Sequence, residues 1–180
     1  MGALIDGQAI EDWQCIDTLG ALGNLEAADG LLQYLGLDSD TKDRPISLIL
    51  DFGLEVGRAL RSLSADHARD TALGSLTAAH ASQRAAAALT LAGWQDEYYA
   101  DKLLPLVEDS DPHVRLAAVI ALGELGAAAA LQPLEKRLFD PDSQMRFAVE
   151  KALQQVMESK ARQALKAGQF HPAILARRRV

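Results

Sequence analysis

Apolar residues recur at every third or fourth position in several segments of the chain, which is the spacing of one face of an α-helix. Leu131, Leu134 and Leu138 show this spacing, and residues 101–107 show it in a matching frame. Such segments predict amphipathic helices that are covered on one face. The segment 114–123 is apolar almost all round, so it predicts a helix that is covered on several sides.

The apolar segments repeat with a period of about 31 residues. Each unit carries an arginine and, seven positions later, a leucine; these are Arg84, Arg115 and Arg146, and Leu91, Leu122 and Leu153. Each unit predicts an outer amphipathic helix, a tight turn and an inner apolar helix. Units of this kind bury their inner helices by stacking side by side. The predicted fold is therefore all-α, an α/α superhelix (solenoid) of short helical hairpins.

The turns before the inner helices carry capping residues. Asp111 and Asp142 each precede an inner helix, where a carboxylate accepts hydrogen bonds from free backbone N–H groups and favours the positive end of the helix dipole. Pro112 falls in the first turn, where its missing donor has no cost. Gly126 is placed to end the same helix.

The pattern continues towards the N-terminus with less regularity. Residues 16–23 copy the end of an inner helix, glycines included. The segments that follow predict an outer helix, a polar loop, a long inner helix and another outer helix, at 25–35, 37–44, 45–63 and 65–79. Gly53 and Gly57 lie four residues apart in the long inner helix and predict close contact with a neighbouring helix.

Composition narrows the class of protein. The 180 residues include one cysteine, Cys15, which excludes an internal disulfide and favours a reducing compartment. No apolar run of about 18 residues occurs and the N-terminus lacks a basic start, so we expect neither a membrane span nor a signal peptide. The four histidines are far apart in the sequence, and no spacing suits a metal. We expect a cytoplasmic protein with no metal site and no catalytic residues of its own.

The net charge of −7 is unevenly distributed. Residues 159–180 contain six basic groups and no acidic ones, whereas residues 1–158 carry twelve basic groups against twenty-five acidic ones. An acidic body repels phosphates, so nucleic-acid binding is not expected. We divide the chain into a repeat domain at 1–158, with its clearest repeats at 80–158, and a basic C-terminal helix or tail at 159–180.

Residues 109–126 read Asp-Ser-Asp-Pro-His-Val-Arg-Leu-Ala-Ala-Val-Ile-Ala-Leu-Gly-Glu-Leu-Gly. This segment resembles the short HEAT-like repeat named for phycobilisome lyases, whose D-x-D-P-x-V-R-x-x-A-x-x-A-L-G core it matches almost throughout. Residues 140–156 match less closely, with Ser143 at the usual proline and Gln154 at the usual glycine. Residues 81–93 keep the arginine, the alanines and the leucine. The resemblance implies a solenoid of short HEAT-like helical hairpins.

The same resemblance implies functions of different classes. Some proteins with these repeats are subunits of enzymes that attach open-chain tetrapyrroles to cysteines of light-harvesting proteins, some help to dismantle those antennae, and many are adaptors. Our leading interpretation is a protein–protein interaction scaffold or adaptor that is not catalytic on its own and needs no cofactor. The alternative is a subunit of a phycobilin lyase or bilin chaperone, which holds a bilin tetrapyrrole and acts on phycobiliproteins with a second HEAT-like chain. A third interpretation is one domain of a longer solenoid.

The arginines that recur at the repeat period are candidate ligand-binding residues. Arg84, Arg115 and Arg146 could line a groove and bind carboxylates, such as the propionates of a bilin. Alternatively, they form a structural ladder in which each arginine pairs with a capping aspartate of its own or a neighbouring repeat. Recurrence at the repeat period favours the ladder.

Aromatic and histidine side chains supply the remaining candidates. Trp94, Tyr98 and Tyr99 follow one inner helix and enter an outer one. Exposed Trp and Tyr side chains are common anchors of protein contacts, although these rings could instead fill the space around the small alanines at 85–88. His113 could orient a ligand beside the neighbouring arginine, or it could face solvent in its turn.

Overall fold

The computed structural model describes residues 25–37 and 46–167, and all structural observations below concern those residues. The predictions for residues 1–24, which include Cys15, for most of the 37–44 loop and for the tail beyond residue 167 lie outside them. Within the described ranges the chain forms α-helices and short 3₁₀-helices and no strand. The α-helices are α1 Leu25–Leu35, α2 Ile46–Ser62, α3 Asp66–Ser75, α4 Ala81–Gly93, α5 Ala100–Leu103, α6 Pro112–Leu125, α7 Leu131–Lys136 and α8 Ser143–Lys166.

The helices stack as a solenoid. The four inner helices α2, α4, α6 and α8 pack in chain order, each against the next, and the shorter elements between them pack on the outside. Helix α3 lies on α4, the segment around α5 lies on α6, and α7 lies on α8. The predicted solenoid is confirmed, and so is its period, because α4, α6 and α8 begin at Ala81, Pro112 and Ser143, which are 31 residues apart.

The inner helices begin and end where the capping residues predict. The Oδ1 atom of Asp111 accepts hydrogen bonds from the backbone N–H groups of His113 and Val114 at 2.8 and 3.4 Å. Asp142 accepts one from Gln144 at 2.9 Å in the same way. Gly126 ends α6 in the left-handed conformation, with φ of 63°. A residue without a Cβ atom adopts this conformation most easily, which is why glycine stands here.

The outer elements are less regular than the sequence pattern predicts. The segment 101–107, predicted as one amphipathic helix, is the short helix α5 followed by the 3₁₀-helix Leu104–Glu108. Pro105 explains the break, because its ring nitrogen has no hydrogen to donate to the carbonyl group four residues earlier. Two further 3₁₀-helices, Glu97–Tyr99 and Ala128–Ala130, lead into α5 and α7.

The glycines of α2 mark the closest approach between two inner helices. A Cβ atom added to Gly57 would lie 2.2 Å from the carbonyl oxygen of Thr90, and one added to Gly93 would lie 2.4 Å from the backbone of Gly57. A Cβ atom on Gly53 would lie 2.8 Å from the side chain of Leu89. The predicted close contact of the Gly53–Gly57 face is confirmed, with α4 as its partner.

The last described helix is longer than the other inner helices. Helix α8 has 24 residues and runs without interruption across the predicted division at 158, while its last buried side chain is Val156. The functional division between body and tail stays a prediction. No helix of the described residues is long and apolar enough to cross a membrane.

Candidate functional site

The three periodic arginines make the same contacts with their own turns. In each case Nη1 donates to the carbonyl oxygens six and five positions earlier, at 2.8 to 3.1 Å. The pairs of accepting residues are Ala78 and Ala79 for Arg84, Asp109 and Ser110 for Arg115, and Asp140 and Pro141 for Arg146. Each arginine therefore fastens the start of its inner helix to the preceding turn. A ligand-binding role for these residues stays a prediction.

Arg84 also joins two neighbouring repeats. Its Nε and Nη2 atoms donate to Oδ2 and Oδ1 of Asp109, both at 2.8 Å, in a bidentate ion pair whose side chains are largely buried. The hydrogen bonds to Arg84 hold the pKa of the Asp109 carboxyl below its usual range, against the opposing effect of burial. The same pair raises the pKa of the Arg84 guanidinium.

The next step of the ladder lacks this link. Asp140 lies one period after Asp109, but its carboxylate contacts Nη1 of Arg137 at 3.3 Å. Arg137 takes the repeat position of Leu106 and also donates to the carbonyl oxygen of Val107 at 2.9 Å. The buried Nε of Arg115, which corresponds to the Nε of Arg84, has no hydrogen-bond partner among the described residues.

The aromatic and histidine candidates do not form one site. Trp94 is half-buried against the core at the end of α4. Tyr98 is 65% exposed and Tyr99 is 5% exposed, with their rings 5.5 Å apart in an edge-to-face arrangement. Burial raises the pKa of the Tyr99 hydroxyl, although Arg69 acts in the opposite direction. His113 lies at the other end of the repeat, at the start of α6, with Nδ1 3.3 Å from Asp111.

A groove of about 310 Å³ crosses three of the inner helices. We call it the inner groove. Its apolar lining consists of Leu50 and Leu54 from α2, Leu116 and Ile120 from α6, and Phe147 and Ala148 from α8. Its polar lining consists of Asp51 from α2, Glu124 from α6, and Gln144, Lys151 and Gln155 from α8. None of the seven residues predicted from the sequence as binding candidates lines this groove.

The close packing of α2 on α4 explains why α2 reaches the groove. The positions of α4 that correspond to Leu116 and Ile120 are Ala85 and Leu89, and both are completely buried. Helix α2 packs closely over them at the glycine contact and also touches α6. Helix α6 therefore forms the floor of the groove, and α2 and α8 form its two walls.

A polar network closes one end of the inner groove. The Nη2 atom of Arg58 donates to Oε2 of Glu124 at 2.9 Å, and Nε2 of Gln155 donates to Oε1 of the same carboxylate at 2.7 Å. Arg58 also pairs with Glu55 on its own helix at 2.5 Å. The network connects the two walls through the floor, and its single guanidinium is shared by two carboxylates.

Two charged side chains of the groove stand outside this network. Asp51 on the α2 wall and Lys151 on the α8 wall are both exposed. Neither pairs with another described residue. The two walls therefore present free charges of opposite sign.

Phe147 is the residue that sequence reasoning missed. Its side chain is 70% exposed at the rim of the inner groove. The signal lies in the helical spacing, because Phe147 shares a face of α8 with Lys151 and Gln155, which are polar. An aromatic residue on an otherwise polar face is a candidate for contact with a partner. The described residues contain no group of three or more histidine, cysteine or acidic side chains placed to hold a metal ion.

One protein-family model matches part of the chain. Residues 70–154 match the family of HEAT repeats. This match runs from within α3 to within α8, so it includes the starts of α4, α6 and α8, which are 31 residues apart. The described residues form an α-solenoid, and residues 70–154 of the chain match the HEAT-repeat model.

One solved structure shares this fold. The chain is similar to the complex of CpcE and CpcF of phycocyanin lyase from Nostoc sp. PCC7120, with a TM-score of 0.54 and 24% sequence identity. The similarity covers 79% of this chain and 59% of that chain. The predicted likeness to HEAT-like repeats of the phycobilisome lyase type is confirmed at the level of the fold. No curated protein matches the sequence.

Proposed function

We propose that this chain is a scaffold that holds a protein partner in the inner groove. The observation that carries the proposal is Phe147, whose ring is exposed at the rim of an apolar groove. Large aromatic side chains in such positions are frequent anchors of protein interfaces, because they exclude much water when covered. The stacked inner helices hold the walls in place, so the groove needs little rearrangement before it binds.

The chemistry of the groove supports holding rather than catalysis. Six of its eleven lining side chains are apolar, and the Glu124 carboxylate at one end binds Arg58 and the amide of Gln155. A nucleophile in hydrogen-bond contact with a base is the usual mark of covalent catalysis, and the lining residues do not form such a pair. The expected cytoplasmic location and the expected absence of nucleic-acid binding belong to this proposal.

The test is co-purification of the tagged full chain from its native cells, with two matched variants. Phe147→Glu places a charge on the rim of the inner groove, whereas Phe139→Glu changes a 91% exposed residue in the turn before α8, outside the groove. We expect a partner that co-purifies with the unchanged chain and with Phe139→Glu to be lost with Phe147→Glu. Retention with both variants, with folding confirmed by circular dichroism, would show that the partner binds elsewhere.

A second candidate function is a subunit of a bilin lyase or bilin chaperone. The specific observation in its favour is the similarity in fold to the complex of CpcE and CpcF of phycocyanin lyase. That neighbour also suggests a second HEAT-like chain as the partner of this one. On mixing with an open-chain tetrapyrrole, a bilin-handling chain should shift and sharpen the visible absorbance, and Tyr98→Ala should reduce the change. An unchanged spectrum would leave the scaffold as the better proposal.

A further inference from the structure

We infer that the inner groove binds a single amphipathic α-helix that carries a basic side chain on one flank and an acidic side chain on the other. The inference rests on the proposed function and specifies the partner's chemistry. It follows from the secondary structure of the walls, the length of the groove and the signs of the charges on its two walls.

The walls favour a helical partner over an extended one. All lining residues belong to α2, α6 and α8, whose backbone donors and acceptors are used within the helices. An extended peptide binds most readily at a free sheet edge, where its backbone groups find partners. A helix satisfies its own backbone groups and needs only side-chain contacts, which is what an apolar groove between helices offers.

The length of the groove sets the number of anchors. Along α8 the lining runs from Gln144 to Gln155, which is about 16 Å at 1.5 Å per residue, or about three turns. A partner helix of the same length presents apolar side chains at positions i, i+4, i+7 and i+11 on one face. The floor of Leu116 and Ile120 contacts the middle of this stripe, and Phe147 packs against its side.

The charges on the walls specify the flanks of the partner. The α2 wall presents Asp51 and the α8 wall presents Lys151, and neither is neutralised by another described residue. A basic side chain of the partner therefore faces α2 and an acidic one faces α8. Because turning the helix end to end would exchange its flanks, the two charges also fix the direction in which it lies.

The experiment uses three synthetic helical peptides with one apolar stripe and different flanks. One carries Lys on one flank and Glu on the other, one carries Lys on both, and one carries Glu on both. Fluorescence anisotropy measures their binding to the full chain. We expect the Lys/Glu peptide to bind about two- to fivefold more tightly than either of the others, because an exposed ion pair contributes little, and we expect the difference to shrink with added salt.

Reversing the charge of Asp51 or of Lys151 tests each wall of the groove separately. Asp51→Lys should move the preference to the Glu/Glu peptide, and Lys151→Glu should move it to the Lys/Lys peptide. Lys102→Glu, an exposed residue of α5 outside the groove, should leave the order unchanged. Phe147→Glu should weaken the binding of all three peptides about tenfold or more, because it removes the apolar side chain at the rim of the groove.

Several outcomes would overturn the inference. The first is an order of peptide affinities that does not change with Asp51→Lys or Lys151→Glu. The second is equal binding of a proline-containing extended peptide of the same composition. The third is self-association of the chain that Phe147→Glu abolishes, which would assign the groove to a second copy. If native partners still depend on Phe147 in any of these cases, the scaffold proposal stands and the inference fails alone. If Phe147→Glu does not change the binding of native partners and no peptide binds, both the scaffold proposal and the inference fail.

Discussion

At the scale of single residues, two aspartates at the same repeat position show how neighbouring repeats differ. Asp109 and Asp140 occupy the same repeat position, and each accepts a hydrogen bond from the backbone N–H two residues later, at 2.9 and 3.0 Å. Asp109 also holds Arg84 in a bidentate pair, whereas Asp140 makes one long contact with Arg137. A bidentate arginine–carboxylate pair is among the stronger charged contacts in proteins.

We therefore expect Asp109→Asn to destabilise the fold more than Asp140→Asn. The first change leaves the buried guanidinium of Arg84 without its counter-charge and should lower the free energy of unfolding by about 2–3 kcal/mol. The second removes a weaker contact and should cost about 1 kcal/mol or less. Urea unfolding followed by circular dichroism measures both variants at neutral pH, and equal losses would contradict this ranking.

The stabilisation by Asp109 should depend on pH in one direction. Its folded-state pKa is lowered by Arg84, so its contribution is fully present above the unfolded-state pKa of about 3.9 and is lost as the pH falls through the lower, folded-state pKa. The difference in unfolding free energy between the unchanged chain and Asp109→Asn should be constant from pH 7 to about pH 5 and shrink below about pH 4. A difference that persists undiminished at pH 2 would show that the ion pair is not its source.

At the scale of helices, local signals in the sequence are sufficient for the inner elements. Asp111, Pro112 and Gly126 act through their immediate neighbours, so α6 begins and ends where they predict. The outer elements were less predictable, because the 3₁₀ segment at 104–108 depends on a proline within an otherwise helical pattern. The buried Tyr99 and exposed Tyr98 could not be distinguished from sequence, because their exposure depends on how the segment before α5 packs.

The contact between α2 and α4 gives a prediction at this scale. Gly57→Ala should lower the free energy of unfolding by about 2–3 kcal/mol, because the new methyl group would lie 2.2 Å from a backbone oxygen of α4 and force the helices apart. Gly74→Ala in α3 is the matched control, since a Cβ atom there has nothing within 4 Å. It should be neutral or stabilise by about 0.5 kcal/mol, because alanine favours the helix. Similar effects of both changes on urea unfolding would argue against the tight approach.

At the scale of the whole molecule, the inner groove could not be predicted from sequence. Leu50 and Gln155 line the same groove because α2 packs closely on α4 and also contacts α6. The 31-residue period places Phe147 beside Leu116, but the period alone does not show which face remains open. The repeat and its fold follow from patterns within one unit, whereas the groove follows from how the inner helices stack.

Stacking also determines how the molecule should lose its structure. Each inner helix packs mainly on its sequence neighbours, so disruption at the end of the described stack should remain local, whereas disruption at the centre should spread. The three leucines at one repeat position test this with one substitution. Leu91 and Leu122 are completely buried in α4 and α6, and Leu153 is 8% exposed in α8.

Leu91→Ala and Leu122→Ala should each lower the free energy of unfolding by about 2–5 kcal/mol, because they leave cavities between two neighbouring helices. Leu153→Ala should cost about 1–2 kcal/mol, because among the described inner helices α8 packs only on α6 and has more room to relax. Hydrogen–deuterium exchange with mass spectrometry should show faster exchange confined to α8 for Leu153→Ala and spread over α4, α6 and α8 for Leu122→Ala. Faster exchange throughout the chain in all three variants would mean that the repeats unfold as one unit. A disturbance of α8 would then disorder both walls of the inner groove at once.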